Sequence, residues 1–237
     1  MKTEEAGLPL WAKELLVPFV AWCAIVLITE LTPVDVVVSD WFYDRAREEW
    51  PLKDAWYMEW LHEGGRAIVF LAGLGALLAA LASIWKPRLR ESWRACVYFV
   101  VCLGGAGALI GFLKHHSERP CPYKTDRYGG LTPHLGLFEH LPPGVADGKC
   151  FPAAHAAGAF ALFALYFIHR DRDPARARRG LWLALFLGNL YGVIQIARGQ
   201  HFLSHHLWSA VIVWYLCLAV YRLVFRGRLW PSAAASA

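Results

Sequence analysis

Charge is what this chain has least of. Lys, Arg, Asp and Glu make up 18% of its 237 residues, against 57% that are hydrophobic. So little polar surface cannot cover a soluble core of this size. A cleavable signal pattern is also missing. Met1–Glu14 is polar and mixed in charge, and the apolar run that follows is long enough to span a bilayer. No internal repeat and no second domain are visible, so residues 1–237 read as a single integral membrane domain. Its tail, Pro231–Ala237, is small and polar and reads as disordered.

What is present is a set of apolar runs. A spanning helix needs about 20 mostly apolar residues. Six segments qualify: Leu15–Leu31, Ala67–Trp85, Ala95–Leu113, Ala153–Ile168, Leu181–Ala197 and Leu207–Phe225. The expected fold is therefore an all-α bundle of six transmembrane helices. Basic residues orient it. Lys86, Arg88, Arg90 and Arg94 lie between the second and third segments. Arg170, Arg172, Arg176, Arg178 and Arg179 lie between the fourth and fifth, and Arg222, Arg226 and Arg228 close the sixth. The positive-inside rule places these regions and both termini in the cytoplasm. The net charge of +5 then reflects membrane anchoring rather than nucleic-acid binding.

The other three connections, Thr32–Arg66, Lys114–Pro152 and Arg198–His206, are expected to face out. The first carries Trp41, Trp50, Trp56 and Trp60, which predicts one or two short helices at the water–lipid interface. His62 and Arg66 close it, as site residues or as a solvated helix start. The second is long, rich in Gly and Pro, and holds Cys121 and Cys150 on the oxidising side. A Cys121–Cys150 disulfide is predicted, the alternative being two free thiols. Closing a loop of about 30 residues contributes on the order of 3–4 kcal/mol. Cys23, Cys96, Cys102 and Cys217 fall inside apolar runs and read as core residues.

Three stretches at the expected outer border carry chemistry: Lys114–Pro122, Phe151–His155 and Arg198–His206. Each supplies a fixed cation or an imidazole. His201 and His205 are four apart, so one imidazole can attack while the other fixes its tautomer. His155 opens a span, where it can protonate a leaving oxygen. The backbone N–H groups of Ala153 to Ala156 favour an anion there. Lys114, Arg119, Arg127 and Arg198 are candidate phosphate ligands. A metal site is the rival reading. Arg198 opposes it, and no carboxylate lies close in sequence to the histidines, although Glu139 and His140 keep it open.

These residues resemble the type 2 phosphatidic acid phosphatases, six-helix membrane enzymes related to the vanadium haloperoxidases. The family pattern is Lys-x6-Arg-Pro, then Pro-Ser-Gly-His, then Ser-Arg-x5-His-x3-Asp, and the resemblance covers about residues 113–220. This chain departs from it in each part. Cys121 stands in the first arginine position, with Arg119 or Arg127 as substitutes. Pro152-Ala-Ala-His155 replaces Pro-Ser-Gly-His. Gln195 takes the second arginine position, with Arg198 one turn on, and His205 takes that of the orienting Asp.

The resemblance implies a metal-independent phosphatase without cofactor. His201 attacks phosphorus to give a phosphohistidine, or His205 does so in a rival alignment. His155 is then acid and base, and Lys114, Arg119 and Arg198 neutralise the phosphate oxygens. The implied substrates are membrane lipid phosphates or pyrophosphates, such as undecaprenyl pyrophosphate, phosphatidylglycerophosphate, phosphatidic acid or lipid A. A lipid phosphotransferase, an inactive relative and a transporter are the alternatives. The expected location is a bacterial cytoplasmic (inner) membrane, with the active site on its outer face.

Overall fold

The computed structural model describes residues 9–136, 139–145 and 148–230. The expected tail over 231–237 lies outside the described residues. The described chain forms eight α-helices linked by turns, with no strand beyond two isolated bridges among the described residues. They are α1 (Leu10–Leu31), α2 (Val34–Asp40), α3 (Trp56–Ala82), α4 (Trp93–His115), α5 (Ala154–Phe160), α6 (Phe163–His169), α7 (Pro174–Ala197) and α8 (Leu203–Ala219). A π-helical turn, Val220–Val224, extends α8.

Five of these helices are long and apolar enough to cross a membrane, not six. The fourth expected span is the exception. Ala154–His169 is a 16-residue apolar stretch, about 24 Å at the usual helical rise and short of a ~30 Å hydrocarbon core. It is also broken. Leu162 N–H bonds Ala159 O, Ala164 N–H bonds Ala161 O and Leu165 N–H bonds Leu162 O, a tighter turn that separates α5 from α6. The physical reason is its place in the bundle. α5 packs on α4, α7 and α8, and α6 packs on α7 and α8. Ala156, Ala157, Ala159, Phe160, Ala161 and Ala164 are all buried. Small side chains let the surrounding helices close over this stretch, so protein rather than lipid covers it. The outer helices do the reverse: Val17, Val20, Ile68, Phe70, Leu71, Trp182 and Phe186 are exposed. Apolar side chains in such numbers belong against lipid, and the chain is a multi-pass membrane protein.

Local signals explain several boundaries. α7 starts seven residues before the apolar run at Leu181, because Pro174 occupies its first turn and Asp173 Oδ1 accepts the Arg176 N–H at 2.9 Å. α3 begins at Trp56, so the expected interfacial helix over Trp56–Trp60 is instead the first turns of a span. The first connection keeps one separate short helix, α2. At the far end of the bundle from α2, buried Glu14 of α1 pairs with Arg170 and accepts a hydrogen bond from Tyr166 Oη at 2.9 Å. Arg222 Nη2 lies 3.5 Å away.

Candidate active site

Four helix ends meet at the α2 end of the bundle: the last turn of α4 with Lys114, the first turn of α5 with His155, the last turn of α7, and the start of α8. A backbone device brings the last two together. After α7 the Gln200 N–H bonds Gln195 O and the Gly199 N–H bonds Ile196 O, both at 2.9 Å. This is the Schellman arrangement. Gly199 adopts φ +68°, and a Cβ there would stand 2.5 Å from the Trp50 ring. Only glycine suits both demands. The reversal delivers His201 back over the α5 start.

The start of α8 is held from outside. Asp35 of α2 accepts the Ser204 backbone N–H at 2.7 Å and also the Ser204 hydroxyl, which caps the helix in trans. Burial raises the Asp35 carboxyl above its ordinary range, and the Ser204 bonds oppose that rise. Within α8, His205 O accepts the Ala153 N–H at 3.1 Å and the Ser209 hydroxyl at 2.9 Å. Ala153 is therefore not a free anion donor, contrary to expectation. Cys121 and Cys150 form a disulfide with a Cα–Cα distance of 5.2 Å, which ties the end of α4 to the start of α5. Trp50, Tyr128 and Phe202, with Tyr43 against them, form an aromatic cap above.

Where the helix ends meet lies a cavity of about 230 Å³ lined by Lys114, His155, Gln195, Arg198, Gln200 and His201, together with His62 and the disulfide. Lys114 makes no hydrogen bond or ion pair among the described residues. Arg198 Nε donates to Lys53 O at 3.0 Å, and its Nη2 lies 3.9 Å from Glu59. The Gln195 Nε2 and His155 Nδ1 atoms are buried without hydrogen-bond partners among the described residues. The His62 ring meets that of His155 at 4.1 Å between centroids. His62 Nδ1 stands 3.2 Å from Glu63 Oε1 without hydrogen-bond alignment.

His201 is 3% exposed. Burial, reinforced by the Lys114 charge, pushes its imidazole well below the ordinary range and keeps it neutral. Its Nδ1 faces Cys150 Sγ at 3.5 Å and His205 Nδ1 at 3.4 Å. That leaves Nε2 as the nitrogen free to react. A nucleophilic Nε2 requires the proton on Nδ1, and His205 Nδ1 is the acceptor in place for it.

Two expected phosphate ligands are turned elsewhere. Arg119 bonds Glu30 Oε1 at 3.3 Å and lies over the Phe151 ring, 4.9 Å from its centroid. Arg127 donates to both Asp40 oxygens, at 2.6 and 3.0 Å, and holds that carboxyl down at about 2. Neither lines the cavity, and each is paired with a carboxylate instead. Sequence reasoning missed Asp35, Glu30 and Gln200. The two acids left a signal, Asp35 as a lone acid in the apolar run Val34–Val38 and Glu30 as one in Leu15–Leu31. Cys150, His201 and His205 also hold ligand atoms within 4.8 Å of one another. The sulfur is committed to the disulfide, so two imidazoles are what the oxidised site offers a cation.

A profile of the PAP2 superfamily matches residues 95–229, more than half of the chain and all four converging helix ends. The chain belongs to the PAP2 superfamily. It is also 24% identical over 227 residues to a lipid A 4'-phosphatase of Francisella tularensis subsp. novicida (strain U112), across 90% of this chain and 95% of that protein. No solved structure matches it. The family match and this relative support a phosphatase that acts on lipid phosphate. Its departures from the family pattern now have positions. Gln195 reaches the cavity where the family has arginine, and Arg198 supplies the cation there. His205 stands beside His201 where the family has aspartate.

Proposed function

We propose that this protein is a metal-independent phosphatase that removes phosphate from a membrane lipid through a phosphohistidine on His201. The observation that carries this reading is one cavity shared by His201, His155, Lys114 and Arg198. His201 Nε2 attacks phosphorus, with its Nδ1–H held by His205. His155, which burial pushes down to about 4, takes up a proton with the phosphate anion and gives it to the leaving oxygen. It then takes one from the water that hydrolyses the phosphoenzyme. Lys114 and Arg198 face the charge that develops on the phosphoryl oxygens.

A second cavity supports a lipid substrate. A groove of about 800 Å³ between α3, α4, α5 and α7 shares His62 and His155 with the first. Beyond Arg66 its walls are Val69, Phe70, Leu103, Ala159 and other apolar groups. A head group in the small cavity would leave its acyl chains in this groove. The lipid A 4'-phosphatase relative makes a phosphorylated lipid A the first substrate to try. α5 and α6 together carry the chain from the cavity at His155 to the Glu14–Arg170 pair at the far end, and with that sixth passage the charge pattern favours an active site on the outer face of a bacterial inner membrane, with both termini in the cytoplasm.

The test is phosphate release by detergent-purified protein in excess EDTA, across lipid A, phosphatidic acid, phosphatidylglycerophosphate and undecaprenyl pyrophosphate. The expected result is release that survives EDTA and prefers one lipid. Release abolished by EDTA, or none from any lipid, would contradict the proposal.

A further inference from the structure

The three atoms that face one another behind the nucleophile have the spacing of a metal site. Zinc binds imidazole nitrogen at about 2.0–2.1 Å and thiolate sulfur at about 2.3 Å, so tetrahedral ligands stand about 3.3 Å apart for N and N and about 3.6 Å for S and N. His201 Nδ1 is 3.4 Å from His205 Nδ1 and 3.5 Å from Cys150 Sγ. All three residues are buried, and the remaining separation is within 4.8 Å. One cysteine and two histidines leave a fourth position open, a set that zinc and cobalt(II) both accept. The bond from Cys150 to Cys121 is what withholds the sulfur.

We infer that Cys150, His201 and His205 form a zinc site that the Cys121–Cys150 disulfide keeps closed, and that reduction opens it and silences the enzyme. A dithiol reductant supplies two electrons and two protons and becomes a disulfide itself, while Cys121 and Cys150 become thiols. Zinc then displaces the Cys150 proton to solvent. The thiolate supplies a negative charge the cluster otherwise lacks, against the opposing charges of Lys114 and Arg198. Zinc takes the His201 Nδ1 lone pair, and the proton that Nδ1 held passes through solvent to Nε2, which as an N–H has no lone pair left with which to attack. The disulfide thereby protects the nucleophile from soft metals, beyond closing the loop. Metal binding stands independently of the proposed reaction, whereas the silencing rests on His201 as nucleophile.

Cys121→Ser and the double variant Cys121→Ser/Cys150→Ser separate the two. Both lose the disulfide and free the loop alike, and only the first carries a thiol at 150. Cobalt(II) is titrated into each, and into wild-type protein before and after reduction by dithiothreitol, with the reductant removed under nitrogen. Cys121→Ser and reduced wild type should bind one equivalent with a thiolate-to-cobalt charge-transfer band. Oxidised wild type and the double variant should lack it, although both retain the four core cysteines. Zinc should inhibit Cys121→Ser at concentrations at least about tenfold below those that affect the double variant, with EDTA restoring activity. The same cobalt spectrum in both variants would overturn the site. A cobalt band in Cys121→Ser without inhibition would overturn the silencing, and with it His201 as nucleophile. The spectrum reads out even if no substrate is turned over.

Discussion

At one end of the bundle Arg170 and Arg222 converge on a buried carboxylate, Glu14, which Tyr166 also bonds. At the other end Lys114 faces a cavity that no carboxylate among the described residues lines, beside buried nitrogens of Gln195 and His155 that lack hydrogen-bond partners among those residues. Cations are thus neutralised in one place, and in the other Lys114 is held open. Burial without a partner costs free energy. A fold keeps such a group where something outside the chain completes it, and here that is an anion. The paired end fastens α1 to the bundle, and the unpaired end is where the chemistry belongs.

Breaking the comparison from the unpaired side should give the largest effect. His155→Ala should lower turnover by at least about 10³-fold while the protein remains folded, as judged by its circular dichroism and its profile in gel filtration. Lys114→Met should cost about 10²-fold in kcat/KM through lost stabilisation of developing charge. Its melting temperature should stay level or rise, since a desolvated, unpaired cation is removed. A fall in melting temperature with intact activity would make Lys114 a structural residue. The paired side should respond in reverse. Glu14→Ala leaves buried Arg170 with only Asp171, at 3.1 Å, against it and should cost about 2–4 kcal/mol of stability, while activity per folded molecule holds. Denaturant titration in micelles checks the first, and specific activity the second.

Smaller effects sharpen the same contrast. Asp35→Ala removes the cap on α8 and should cost about 1–3 kcal/mol, with some loss of turnover because His201 and His205 flank the capped turn. The His201 imidazole is held neutral below its ordinary pKa of about 6.5. The unfolded chain therefore takes up a proton there as pH falls through that value, and the folded chain does not. Stability contributed by this residue is present above about pH 6.5 and declines below it. His201→Ala should flatten that decline in a plot of melting temperature against pH, and an unchanged slope would show that another group causes it.

Much of this was legible in the sequence, for identifiable reasons. Long apolar runs announce spanning helices, because lipid tolerates no unsatisfied backbone. Ala153–Ile168 passed the same test of composition, yet its alanines serve close packing inside the bundle. Hydropathy cannot separate a helix wrapped by protein from one wrapped by lipid. The cysteine pair and the two histidines four apart were readable because loop placement and helical spacing are local properties. Arg119 and Arg127 fall outside the cavity for the opposite reason. Their partners, Glu30 and Asp40, lie some 90 residues away (separations of 89 and 87), and no local pattern reports such a pairing. Asp35 escaped in the same way, being a cap for a helix 169 residues further on.

The most direct test is to trap the phosphoenzyme. Wild-type protein is mixed with a lipid carrying a radiolabelled phosphate, quenched with alkali during turnover, and digested to locate the label. The account predicts an alkali-stable, acid-labile phosphate on His201, formed in the presence of EDTA and absent from His201→Ala. A label on another residue, or label retained by His201→Ala, would contradict it.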